Sequence, residues 1–285
     1  MIAEESQREL ARLLRCLREA TQMTMRSAGA RIGMSESTMS RAETAKRTLE
    51  LDEVEALLAL YGASPEDRET ALALLASSER DVLAWLEPYA GRMTEEYAEY
   101  ARLESLATGI TEYSPMVIPG LAQTEKYARA VTESTSGFGD ELVEMLVEIR
   151  MRRQQRLAEE PSPTVLWIIT EACLRIDVGG PYVMQGQLRN LVDLAERPNI
   201  TACVVPFTTA VRAAIQSGFA LFDYSGARDR SVVCDSSSVA SAVATEEAAY
   251  VNRARGLIRR LLHAGLDEQN SIEMIEDYKS WWSKR

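Results

Sequence analysis

One stretch constrains the rest of this chain: Thr24-Met-Arg-Ser-Ala-Gly-Ala-Arg-Ile-Gly-Met-Ser-Glu-Ser-Thr-Met-Ser-Arg-Ala-Glu-Thr-Ala-Lys-Arg47. It reads as two short helices around a tight turn. Thr24 and Ser35 are good N-caps, since each hydroxyl can accept from an orphan amide of the helix it opens. Gly33 lies between the helices, where the chain bends and a residue without Cβ takes a positive φ freely. Met34, before the second cap, and Met39, four residues into the helix, are spaced as a hydrophobic staple that fixes the entry angle.

At roughly 100° per residue, Met39 and Ala42 of the second helix fall on one side, with Thr38 at the margin. Glu36, Ser37, Ser40, Arg41 and Thr44 fall on the other. Such a short, hydroxyl-rich face suits the major groove, where Ser and Thr serve either base type and Arg grips guanine with two hydrogen bonds. Lys46 and Arg47 follow at the helix end, where phosphates would lie. A solvated helix face has the same composition, so on pattern alone both readings stand.

The segment resembles the Cro/cI-type (XRE) helix-turn-helix. The resemblance is carried by Thr24, Ala28, Gly29, Ile32, Gly33, Met34, Ser35, Ser37, Thr38, Met39, Ser40, Arg41 and Glu43. The sequence departs from that family at Met25, where a backbone-contacting Gln is usual, and at Ala45, where a Gly usually ends the recognition helix. The resemblance implies a DNA-binding transcriptional regulator in which Glu36, Ser37 and Arg41 reach base edges. It also implies that Glu43 pairs inward with Arg18. Thr24, Met25, Arg26, Ser35, Thr38, Ser40, Lys46 and Arg47 complete the candidate DNA-contacting set. Met25 joins it only through backbone amides at the helix start, because its side chain donates nothing.

Charge first speaks against nucleic acid, since the chain carries a net −11. Its distribution changes that reading. Residues 1–49 hold nine Lys or Arg and six acids, about +3, and the remainder 23 bases against 37 acids, about −14. A mildly basic reader on an acidic body binds weakly as one copy and loses affinity steeply with salt. The expected form is therefore a homodimer on the two half-sites of a double-stranded DNA operator.

At 285 residues the chain has room for two domains and a sizeable core. No apolar run approaches the ~18 residues of a membrane span, and the acidic start Met-Ile-Ala-Glu-Glu-Ser lacks the basic and apolar regions of a signal peptide. A cytoplasmic, nucleoid-associated protein is expected. Cys16, Cys173, Cys203 and Cys234 form no close pair, which argues against a zinc ribbon or redox motif and for inert thiols. His263 is the only histidine, so metal sites or relays built on several histidines are hard to assemble. No Gly-rich phosphate loop or nucleophile elbow appears. No cofactor, no metal and no enzyme activity are expected.

In chain order, Leu10, Leu13, Leu14 and Leu17 mark a first helix over 7–20. Leu51 to Tyr61 is a fourth, stopped by Gly62. Ser64-Pro65-Glu-Asp opens a fifth over 65–79, with a cap, a first-turn proline and early acids. These five helices form an all-α helix-turn-helix domain over 1–80, followed by a bridge over 81–94. A helical pattern returns from Met93 to Leu106. Thr164–Thr170, Ile200–Phe207, Phe219–Tyr224 and Ser231–Asp235 are β-branched or aromatic runs read as strands. Residues 225–230 read as a hairpin-like loop, and Pro181 to Ala195 as a crossover helix. Glu246 to Leu262 and Ser271 to Trp282 are closing helices. Residues 95–285 thus predict an α+β domain, a small mixed sheet with helices.

Ile118-Pro-Gly-Leu-Ala-Gln-Thr-Glu-Lys-Tyr-Ala-Arg129, Arg150-Met-Arg-Arg-Gln154, Glu171-Ala-Cys-Leu-Arg175, Val178-Gly-Gly-Pro and Met184-x-x-Gln-Leu188 resemble the C-terminal domain of the WhiJ-like regulators, a large actinobacterial family of antitoxin-like helix-turn-helix proteins. That resemblance implies a second domain that engages a small partner protein, often encoded nearby, and so changes DNA binding. The alternative is a one-component regulator holding a small-molecule ligand between sheet and helices. Ala122 and Arg212 depart from the family's pattern. The candidate partner- or ligand-binding residues are Pro119, Gln123, Tyr127, Arg150, Arg153, Glu171 and Arg212. Arg150 and Arg153 read equally as an anion or partner site and as members of surface ion pairs, the role expected for Arg152 and Arg156. Glu171, at a strand end, also reads as the inward partner of one of these arginines. Pro119-Gly120 reads as a turn.

Overall fold

The computed structural model describes residues 2–136, 139–159, 162–210, 217–224, 230–238 and 241–285. The chain divides into two compact units, Met1–Pro88 with Tyr224–Arg230, and Tyr89–Asp223 with Ser231–Arg285.

The first unit holds α1 (Ile2–Ala20), α2 (Met25–Ile32), α3 (Glu36–Glu43), α4 (Leu51–Tyr61) and α5 (Pro65–Leu83). Its core gathers Leu10 and Leu14 of α1, Ala28 of α2, Met34, Met39 and Ala42 around α3, and Val54, Leu57 and Leu58 of α4. Local signals set the ends. Gly62 closes α4 in the left-handed region at φ 64°. Ser64 caps α5 by accepting from the Asp67 amide, with Pro65 in the first turn. α5 runs on to Leu83, and a 3₁₀ segment follows over Ala84–Tyr89.

The second unit comprises α6 (Glu95–Leu106), β1 (Gly109–Ser114), α7 (Glu125–Ser136), α8 (Asp140–Arg153), β2 (Thr164–Thr170), α9 (Glu171–Arg175), α10 (Pro181–Ala195), β3 (Ile200–Val205), α11 (Phe207–Ala210), β4 (Phe219–Tyr224), β5 (Arg230–Ser238), β6 (Ser241–Thr245), α12 (Ala248–Ala264) and α13 (Glu268–Trp282). The strands form one six-stranded sheet in the order β3-β2-β1-β4-β5-β6. β1, β2 and β3 are parallel, while β1 with β4 and β5 with β6 are antiparallel. The sheet is mixed and backed by helices, as the α+β pattern predicts. β2 and β3 are almost continuously apolar because parallel strands are covered on both faces.

On one face, Tyr113, Ile168, Cys203, Val205, Phe219 and Leu221 pack against Ala254, Leu257, Ile258 and Leu261 of α12. On the other, Glu112 lies in register with Trp167 and Ala220, and Trp167 with Ala202. Tyr100 of α6 covers that side, edge-on to Phe222 at 5.3 Å.

Two strands, β1 and β6, appear where none was predicted. Glu171 opens α9 rather than ending a strand. Thr170 caps that helix by accepting from the Ala172 amide. Most of the predicted loop after β4 lies outside the described residues.

Candidate nucleic-acid interface

The α2–α3 unit is built by caps and one close approach. Thr24 Oγ1 accepts from the Ser27 amide at 3.1 Å, and Ser35 Oγ from the Thr38 amide at 3.0 Å. Gly33 turns the chain at φ 78°. Gly29 lets the helices close, because a Cβ there would stand 2.5 Å from the Met34 carbonyl oxygen and 3.0 Å from Met39 Cγ. Met34 and Met39 are both buried in the core of the unit.

This packing turns the polar ridge of α3 outward. Glu36, Ser37, Arg41 and Thr44 are exposed, Thr38 and Ser40 half-buried, and Met39, Ala42 and Glu43 buried. Arg18 holds the helix from behind. Its Nε and NH2 donate to the two Glu43 carboxylate oxygens at 2.6 and 2.8 Å, and its NH1 to the Met23 carbonyl at 2.7 Å. Donating to the Glu43 carboxylate raises the Arg18 pKa, which keeps the buried guanidinium charged. The inward pairing implied by the sequence is present, and both carboxylate oxygens are satisfied by one planar fork.

Around the ridge, Arg26 donates to Glu36 at 2.8 Å, with side chains 83% and 52% exposed. An ion pair this open adds little stability and leaves the guanidinium accessible to a phosphate. The Met25 side chain packs against the core instead. Ala45 ends α3 at φ 55°, with Lys46 N donating to Arg41 O at 2.8 Å and Ala45 N to Ala42 O at 3.1 Å. That is the Schellman arrangement, with alanine where glycine is favoured.

Lys46 is exposed beyond this cap. Arg47 corrects the sequence reading. It is buried, and its NH2 donates to the fully buried Glu53 at 2.7 Å. Burial pushes the Glu53 carboxyl up while the Arg47 hydrogen bond pulls it down. Arg47 therefore anchors the segment entering α4 and is not presented to phosphates.

The second candidate set resolves differently. Pro119, Gln123, Tyr127, Arg150 and Arg153 are buried, so none of the five offers a partner surface. Gln123 donates to the Ile118 carbonyl at 2.7 Å and accepts from Arg150 NH1 at 2.8 Å. The Tyr127 hydroxyl accepts from the Ile118 amide at 3.2 Å. Arg153 makes a two-pronged pair with Glu104, both bonds at 2.7 Å, and donates to the Tyr97 hydroxyl at 3.0 Å. Glu112 is buried beside this cluster. Desolvation and the charge of Glu104 push its carboxyl up to about 7, against the pull of Arg153 and Arg150. Sequence reasoning missed Glu104 and Glu112. Glu104 stands one residue after Leu103 on the stripe of Tyr97 and Tyr100, a position where an acid needs a buried partner.

Glu171 does not pair with an arginine of α8. Its carboxylate accepts from the Phe207 amide at 2.7 Å and from the Tyr278 hydroxyl at 2.5 Å, tying α9 to α11 and α13. Arg156 donates to the Ser105 carbonyl at 2.9 Å. Arg212 lies outside the described residues. Cys173, Cys203 and Cys234 are buried, and burial raises their thiols to about 12, 11 and 12, which disfavours the reactive thiolate. Among the described residues, no group of His, Cys, Asp and Glu is placed to hold a metal, and no helix is long and apolar enough to cross a membrane.

A helix-turn-helix domain model matches residues 9–71, which span α2 and α3. A model described as a domain of unknown function, DUF5753, matches residues 97–277. No curated protein and no solved structure matches the chain. The chain thus belongs to the DUF5753 family and carries ahead of that domain the helix-turn-helix of a DNA-binding regulator.

Proposed function

We propose that this protein is an XRE-type transcriptional regulator that reads a double-stranded operator through α3, as a homodimer in the cytoplasm at the nucleoid. One observation carries the reading. Arg41, Ser37 and Glu36 stand on an exposed ridge whose back is locked by Met39, Ala42 and the Arg18–Glu43 pair. Thr24, the Met25 amide, Arg26, Ser35, Thr38, Ser40 and Lys46 are the surrounding contacts in this reading. The protein is not an enzyme in this proposal, and it needs no cofactor.

The C-terminal domain takes the regulatory input, in the antitoxin-like manner of the WhiJ-like regulators. A small protein partner is favoured over a small ligand by two features. Gln123, Arg150, Arg153 and Glu104 hydrogen-bond one another or the backbone instead of converging on an open space. Met116, Tyr182 and Phe207 stand exposed as large apolar side chains, the kind that a protein interface covers.

The test is titration of the full chain into its own upstream DNA and into scrambled duplex at fixed salt. Arg41→Ala should cost about 1–3 kcal/mol on the first and far less on the second. Equal losses on both would remove Arg41 from base reading.

A further inference from the structure

α12 buries Ala254, Leu257, Ile258 and Leu261 against the sheet. Its far side exposes Asn252, Arg253, Arg259, Arg260 and His263, arranged around Gly256. At about 100° per residue these positions share one arc of roughly 120°, opposite the buried stripe. Their neighbour Arg255 is engaged, donating to Asp223 at 3.0 Å and to Ser231 at 2.8 Å. Arg253, Arg259 and Arg260 meet no carboxylate among the described residues. From residue 50 onward acids outnumber bases by 37 to 23, so this face is a local reversal of sign.

We propose that this face of α12 is a second DNA contact, a grip on the phosphate backbone of a duplex. It rests on the DNA-binding reading given above. Charge complementarity selects a polyanion, and the make-up of the face selects phosphates over a protein. A protein interface needs an apolar centre, but here the centre is Gly256 with Asn252 and His263. The exposed Tyr250 and Leu262 flank the stripe on opposite sides. A Cβ added at Gly256 would meet only Arg259 NH2, at 3.9 Å, so the floor is open to a phosphate oxygen. The stripe runs about 16 Å along the helix at 1.5 Å per residue. A duplex carries one charge per roughly 1.7 Å of its axis, enough for each guanidinium fork to take its own phosphate.

The experiment compares the full chain with R253A/R259A/R260A and with R253K/R259K/R260K, binding a mixed-sequence duplex and the chain's own upstream duplex over a salt series. The alanine variant should bind both duplexes about tenfold or more weaker at low salt, with a log K against log salt slope shallower by about 2–3. The lysine variant should keep the wild-type slope. Wild-type binding with unchanged affinity and slope in the alanine variant would overturn the grip and leave the face to another partner, such as an acidic protein. A wild-type chain that binds neither duplex would overturn the DNA-binding reading along with it.

Discussion

At Gly29 the absence of a side chain decides whether α3 can sit where it does. A methyl there collides with the Met34 carbonyl oxygen and with Met39. Gly29→Ala should therefore destabilise the helix-turn-helix unit by about 1–3 kcal/mol and weaken operator binding, although it touches no outward residue. Thermal unfolding and titration check this together, and unchanged values in both would contradict the packing. Ala45 poses the reverse case. Its left-handed conformation costs an L-residue about 1–2 kcal/mol, partly offset because glycine loses more backbone entropy. Ala45→Gly should raise the melting temperature of the unit, and a lower one would contradict the cap. The caps Thr24 and Ser35 and the turn at Gly33 were legible in the sequence, because caps and turns act within a few residues of one another. Arg47 was not. At the end of a recognition helix a bare arginine reads as a phosphate contact, and only the fold brings Glu53 against it. Arg153 was ambiguous for the same reason, since its partner Glu104 lies 49 residues away.

Between elements, the Arg153–Glu104 pair joins α8 to α6 where water does not reach. Removing one partner strands a buried charge, so Arg153→Ala should destabilise the C-terminal unit by about 3–5 kcal/mol. Urea unfolding measures it, and a loss under 1 kcal/mol would mean that the pair is solvated. Glu112, on β1 under the same helices, gives that unit a pH dependence. Its folded pKa lies above the usual carboxylate value, at about 7, so the folded state holds the proton more tightly than the unfolded chain does. The associated stability is present below the ordinary carboxylate pKa and is lost as pH rises through about 7, on the order of 3 kcal/mol in all. Glu112→Gln should flatten that part of the pH profile and be more stable than wild type at alkaline pH. A slope that persists in the variant would assign the titration elsewhere. This buried acid also explains why β1 escaped sequence reading, because Gly-Ile-Thr-Glu-Tyr-Ser lacks the apolar run that marks β2 and β3. β6, Ser-Ala-Val-Ala-Thr, is short, made mostly of small residues and at the sheet edge. α4, α5 and α10, in contrast, announced themselves by periodicity and by Gly or Pro at their ends.

Over the whole molecule, a reader of about +3 is carried on a body of about −14, so affinity must come from several contacts acting together. Two copies per operator are expected, on half-sites about one helical turn apart. Light scattering of the complex would show this, and one copy per operator would contradict it. The architecture was legible at this scale because helix periodicity gives way to β-branched runs along the chain. The role of the second unit was less so, because five of its seven candidate residues, Pro119, Gln123, Tyr127, Arg150 and Arg153, are buried. The most direct measurement is selection of bound duplexes from a randomised pool, with the wild-type chain and with Arg41→Ala in parallel. The wild type should enrich a two-fold symmetric motif, and the variant should lose preference at one base position in each half-site while keeping the rest. Recovery of the same motif by both proteins would remove Arg41 from base reading, and recovery of no motif by the wild type would contradict sequence reading by α3.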